Sequence, residues 1–227
     1  MNCAAQGNCV AWRAVPTPEA AVSDPSDPAA GAIALVPHPA FGPGPLRSLH
    51  ATAALEPSGC ITVEFAAQGE LAQLRLATAS TAPQRRAGLW RHTCFELFAR
   101  RGVEDGYLEF NFAPNGDWAA WVFDDYRSGG REFGPAPLGI ATRTAEAGRW
   151  CLRAQAELGA AAAAPDSADT PVTWWLNLAA VIEAGDGGLS YWAARHAGAQ
   201  PDFHDRGCFC VPLRAAQPSA RSRAQVR

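Results

Sequence analysis

The sequence predicts an all-β fold, an antiparallel β-sandwich or barrel, on three observations. Short apolar and β-branched runs recur through the middle of the chain, divided by clusters of Gly, Pro, Asn and Asp. The block from Leu89 to Asp125, LWRHTCFELFARRGVEDGYLEFNFAPNGDWAAWVFDD, alternates polar and apolar positions as three consecutive antiparallel strands would. Helix signals are scarce, the best short helix or turn candidate being LNLAAVIEAG (176–185), ended by Gly185.

Taken from the N-terminus, residues 1–31 are rich in Ala, Pro, Ser and Asp and read as a disordered or loosely packed leader. The stretch AIALVPHPAFGPGPL (32–46) joins an apolar run to repeated prolines. Proline lacks the donor that a central strand needs, so an edge strand and an extended loop are expected here. Strands are then expected over 48–55, 60–66, 71–78, 92–99, 106–113, 117–124, 138–144, 149–158, 172–178, 189–194 and 207–213. GAAAAAPDSADTP (159–171) mixes alanines with Pro, Asp and Ser and reads as a loop insertion. AAQPSARSRAQVR (215–227) reads as a disordered basic tail. One domain, 32–214, is therefore expected between two tails, and 227 residues suffice for one full core.

The hairpins of the central block can be registered from their turns. Asn115-Gly116 is the strongest two-residue hairpin signal, because both positions must tolerate positive φ. That turn would pair Phe112 with Ala119, Phe110 with Trp121 and Leu108 with Phe123 on an apolar face. Asn111, Glu109 and Tyr107 would then lie on the other face. If Phe95 and Leu97 join the same core, Phe95 meets Phe110, Leu97 meets Leu108, and Glu96 meets Glu109. Two glutamates so placed have Cβ atoms roughly 5 Å apart and repel. An arginine, a cation, ligand hydroxyls or a raised pKa must compensate. The polar face then lines up His92, Cys94, Glu96, Tyr107, Glu109, Asn111 and Trp118, a candidate small-ligand site.

Composition narrows the function. A net charge of −3 and a pI near 5.9 do not favour nucleic acid or anionic membranes as partners. All 19 basic residues are arginine, so no Schiff-base or lysine-nucleophile chemistry is available. No segment approaches the ~18 continuous apolar residues of a membrane span, and the N-terminus lacks a basic start followed by an apolar stretch. Seven cysteines, an odd number without framework spacing, suit reduced thiols in a bacterial-type cytoplasm. No P-loop, dinucleotide fingerprint, GxSxG or HExxH is present.

The segments LWRHTCFELF, GYLEFNFAPNGDWAAWVFDDYR, LSYWAARH and QPDFHD resemble the DOMON-like β-sandwich proteins, relatives of family 9 carbohydrate-binding modules. The resemblance spans about residues 32–213 and is most specific from Trp90 to Arg127. It implies an immunoglobulin-like sandwich whose relatives bind sugars or haem. The haem branch uses a methionine and a histidine as axial ligands. The sole methionine here is Met1, so a haem or metal site would have to draw on His92, His196 or His204.

The leading expectation is a non-catalytic domain, without a cofactor or metal, that binds a small molecule, most plausibly a carbohydrate or polyol. Aromatic faces suit the C–H faces of a sugar, and carboxylates and amides suit vicinal hydroxyls. The candidate ligand-binding residues are Trp90, His92, Glu96, Tyr107, Glu109, Asn111, Trp118, Arg195, His196 and His204. The loop Ala199–Asp205 is expected as a lid or rim beside them. Opposed Glu96 and Glu109 have the spacing of a retaining glycosidase pair, but adjacent strands would bring both to a sugar from one side, which disfavours hydrolysis. A module with no small ligand is the remaining alternative.

Overall fold

A period-two apolar pattern builds two antiparallel leaves in the computed structural model, which describes residues 31–134, 137–145, 148–159 and 173–214. The expected leader but for Gly31, the 215–227 tail and all of the 159–171 insertion but its first residue lie outside the described residues. The strands are β1 (Ile33–Pro37), β2 (Leu46–Leu55), β3 (Cys60–Gly69), β4 (Cys94–Arg101), β5 (Tyr107–Phe112), β6 (Trp118–Phe123) and β7 (Arg131–Glu132). They continue with β8 (Gly139–Ala145), β9 (Arg149–Glu157), β10 (Thr173–Glu183), β11 (Leu189–Ala193) and β12 (Val211–Arg214). One leaf runs β1-β2-β3-β9-β8 and the other β7-β6-β5-β4-β10-β11, with β12 beside the first half of β10. The fold is an antiparallel β-sandwich. Phe65 of β3, Phe95 of β4 and Trp150 of β9 meet between the leaves, with ring centroids 5.1 and 5.2 Å apart.

Four local expectations are corrected. β1 is not an edge strand: Ile33–Leu35 pair with β2, whereas Val36 and Pro37 pair with β11, so it stitches the leaves together. The helix candidate at 176–185 falls mostly in strand β10. Leu176, Leu178, Ala180 and Ile182 enter the main core, while Ala179 and Val181 pack on the other side. A strand covered on both faces shows a continuous apolar run, which resembles a buried helix in sequence. Residues 71–78 begin with a 3-10 turn (Leu71–Gln73), followed by a bridge from Leu74 to Ala184. Residues 207–213 likewise begin in a 3-10 turn (Arg206–Cys208), whose first turn is capped by the Asp205 carboxylate accepting from Gly207 N–H at 2.7 Å.

Both hairpin registers differ from expectation. The β5–β6 connection is a three-residue loop, because Ala113 N–H donates to Asp117 C=O (2.9 Å) and Gly116 N–H donates to Ala113 C=O (2.9 Å). Pro114 takes the position that its fixed φ favours, and Gly116 (φ 93°) takes the left-handed one, so the loop is a turn followed by a bulge. The partner strand slips by one residue. Phe112 faces Trp118, Phe110 faces Ala120 and Leu108 faces Val122 on the core side, and Trp121 and Phe123 turn to the other face. In β4–β5 the shift is two residues, which keeps the faces: Phe95 meets Phe112, Leu97 meets Phe110, and Glu96 meets Asn111 rather than Glu109.

Candidate functional site

The outer face of the β4–β5–β6–β10–β11 leaf is roofed by the segment between β11 and β12. Asn177 of β10 fastens that roof by donating through Nδ2 to the Phe203 carbonyl (3.0 Å), and Phe203 and Phe209 pack with Phe98, Tyr107 and Val181. A cavity of about 730 Å³ opens where the roof stops. Its floor is Glu96, Glu109, Asn111 and Val181. Trp121, Phe123, Tyr191 and Phe203 wall it, and Trp90 and Phe41 stand at its mouth.

One hydrogen-bond chain runs across this floor. Arg127 is the one non-glycine described with positive φ (50°), in the turn after β6. That geometry lets its backbone N–H donate to the Tyr107 hydroxyl (3.2 Å) while its Nη2 donates to Asp202 Oδ1 (2.8 Å). The Tyr107 hydroxyl is also bonded to His204 Nδ1 (2.7 Å), and His204 Nε2 lies 3.7 Å from Glu109 Oε2. Glu109 Oε1 accepts from Asn111 Nδ2 (2.5 Å), and Asn111 Oδ1 accepts from the Cys94 thiol (3.7 Å). Tyr126 donates to Asp202 Oδ2 (2.5 Å) and completes the rim.

Glu96 stands outside this chain. It is 3% exposed, and its Oε1 is buried with no hydrogen-bond partner among the described residues. Burial, and next the neighbouring Glu109, push its carboxyl well above the usual range, with Arg127 opposing. Burial also raises Glu109, but the Asn111 amide and then Arg127 pull it back. When the two acids share a proton, Glu96 therefore holds it and Glu109 is the carboxylate. Burial lowers His204 to about 4, helped by Arg127, so its imidazole is neutral near pH 7. Burial pushes Tyr107 up to about 12. Against burial, the hydrogen bonds from Tyr126 and Arg127 keep Asp202 below its ordinary value.

Of the ten candidate residues, Trp90, Glu96, Glu109, Asn111 and His204 line the cavity, and Tyr107 lies behind it, bonded to His204. Trp118 does not reach it. The ring is in the sandwich core under the Arg85 guanidinium, 4.2 Å from its centroid, because the register slip exchanged it for Trp121. His92 binds Glu183 Oε2 through Nδ1 (2.8 Å). His196 donates through Nε2 to the Val36 carbonyl (3.0 Å), and Arg195 is exposed. The three histidines considered for haem or metal thus bond to three different groups, and among the described residues no three of His, Cys, Asp or Glu cluster as metal ligands would. Trp121, Phe123 and Arg127 are cavity residues that the sequence reading did not select. For the first two, Pro114 ahead of Asn-Gly was the available signal; the positive φ of Arg127 left none.

No protein-family model matches the chain, and no curated protein matches it. Among solved structures, the chain is similar to one from Bacteroides uniformis ATCC 8492 named as a candidate carbohydrate-binding protein. The two share 16% identity with a TM-score of 0.58, over 82% of this chain and 86% of that one. The likeness shows a common β-sandwich fold. No helix among the described residues is long and apolar enough to cross a membrane.

Proposed function

We propose that this domain is a non-catalytic binding module whose cavity takes a carbohydrate or polyol. The observation that carries the reading is the cavity itself: a floor of two carboxyls and an amide between indole and phenyl walls. Its volume of about 730 Å³ falls within the roughly 300–1,000 Å³ of small-ligand pockets. Flat rings offer C–H contact, and the floor offers planar acceptors for hydroxyls. The carbohydrate-binding name of the Bacteroides uniformis neighbour supports this choice, as does the resemblance to DOMON-like and family 9 carbohydrate-binding sandwiches. Binding rather than hydrolysis is favoured because Glu96 and Glu109 rise from adjacent strands of one face. Neither acid can reach the far side of a sugar held against the other.

Trp90 and Trp121 report on the site directly. Titration of the full chain with neutral hexoses, hexosamines and polyols is expected to quench tryptophan fluorescence saturably with at least one of them. Glu109→Gln is expected to abolish the quenching with little change in thermal stability. A silent panel overturns the reading. A Glu109→Gln variant that keeps its affinity but melts lower would assign the acid to a structural network instead.

A further inference from the structure

The cavity floor carries two acids, Glu96 and Glu109, and only Glu109 accepts a hydrogen bond within the fold. Asn111 Nδ2 donates to Glu109, Arg127 Nη2 donates to Asp202, and His204 Nε2 lies 3.7 Å from Glu109 Oε2. What is left over is the Glu96 carboxyl, which lines the cavity and makes no hydrogen bond among the described residues. A ligand that supplies donors can pair with that carboxyl once it gives up its proton. Around it stand the faces of Trp90, Trp121, Phe123 and Tyr191, and aromatic faces attract cations. An ammonium satisfies both conditions, since it brings three donors and a positive charge.

We propose that the preferred ligand is an amino sugar or amino polyol whose protonated amine lies against Glu96 and Glu109 beneath the aromatic walls. This rests on the saccharide reading above and sharpens it. The step is a cation exchange: the ammonium enters, Glu96 gives up its proton to solvent, and the net charge of the acid pair with its counter-ion is unchanged. Glu96 pairs with Asn111 of β5 and Ala179 of β10, and its charged or titratable neighbours are Glu109, Arg127 of the turn and Cys94 of its own strand, with Tyr107 and His204 beyond Glu109. Near neutral pH, His204 stays neutral, Tyr107 and Cys94 stay protonated and Arg127 stays charged, so the released proton belongs to the acid pair.

Isothermal titration of the full chain with D-glucosamine and D-galactosamine, each against D-glucose and D-galactose, tests this. At pH 6.5 an amine is expected to bind at least about tenfold more tightly than its parent hexose. Repeating the titration in two buffers of different ionisation enthalpy should show about one proton released for the amine and none for the hexose. In Glu96→Gln the ratio of the two affinities should fall to within about twofold, whatever either affinity becomes. A parent hexose that binds as tightly as its amine, or amine binding without proton release, overturns the inference and leaves the saccharide reading standing. If neither class binds, both fall together.

Discussion

Glu183 and Glu96 lie on neighbouring strands, and both are buried, at 5% and 3% exposure. Their surroundings differ in kind. Glu183 receives Arg75 Nη1 at 2.9 Å on one oxygen and His92 Nδ1 at 2.8 Å on the other. Against the effect of burial, those two partners hold its carboxyl below the ordinary value. Glu96 has an oxygen with nothing to accept from, and burial raises it. A fold that needs an acid for its own stability surrounds it with donors. An acid left short of them inside a cavity destabilises the folded state, and the proposed binding role would account for its presence.

The same contrast has an aromatic form, which should give the largest effect. Trp118 is packed in the sandwich core, while Trp121, three residues on, is partly exposed in the cavity wall. Trp118→Ala is expected to cost about 3–5 kcal/mol, as buried aromatic truncations do. Trp121→Ala should cost much less and should instead remove ligand-induced quenching. Urea unfolding of both variants checks this. Equal losses of stability would mean that the cavity wall is simply more core.

The contrast should survive in the acids at a smaller scale. Glu183→Ala strands Arg75 and His92 and is expected to cost about 1–3 kcal/mol, the range for losing hydrogen bonds to a charged group. The loss should be greatest above the unfolded carboxylate pKa of about 4.3, because a depressed native pKa gives stability that disappears as pH falls. A variant as stable as the parent at pH 7 would remove Glu183 from the structural class and weaken the comparison.

The extent to which the site could be read from sequence follows from which quantity each residue depended on. The faces of β4 and β5 depend only on parity, and a two-residue error in their register leaves parity intact; Glu96, Glu109 and Asn111 therefore share a face as the alternation implies. The β6 face depends on the loop length, where one residue is decisive. Pro114 favours a three-residue loop over the two-residue Asn-Gly turn, and Trp118 and Trp121 exchange roles. Alternation puts His92 on the polar face, and Arg195 and His196 are candidates from a later strand, but their side chains bond elsewhere or face solvent. Nothing in the local pattern encodes those long-range partners. The unpartnered oxygen of Glu96 is a property of the packed roof and is invisible before it forms.

Glu96→Gln should give the smallest effect, and one opposite in sign to that of Glu183. In the folded chain Glu96 keeps its proton to a higher pH than in the unfolded chain, where it ionises near 4.3. Above that value the unfolded state binds fewer protons than the native state, so the stability of the parent falls as pH rises, until the native group ionises as well. Glutamine has no such proton to lose. The variant should match the parent at pH 4 and exceed it at pH 8. Thermal melts of both proteins at pH 4, 6 and 8 measure the difference. A variant that is less stable at every pH would show that Glu96 accepts a hydrogen bond in the fold, and the distinction between the two glutamates would be lost.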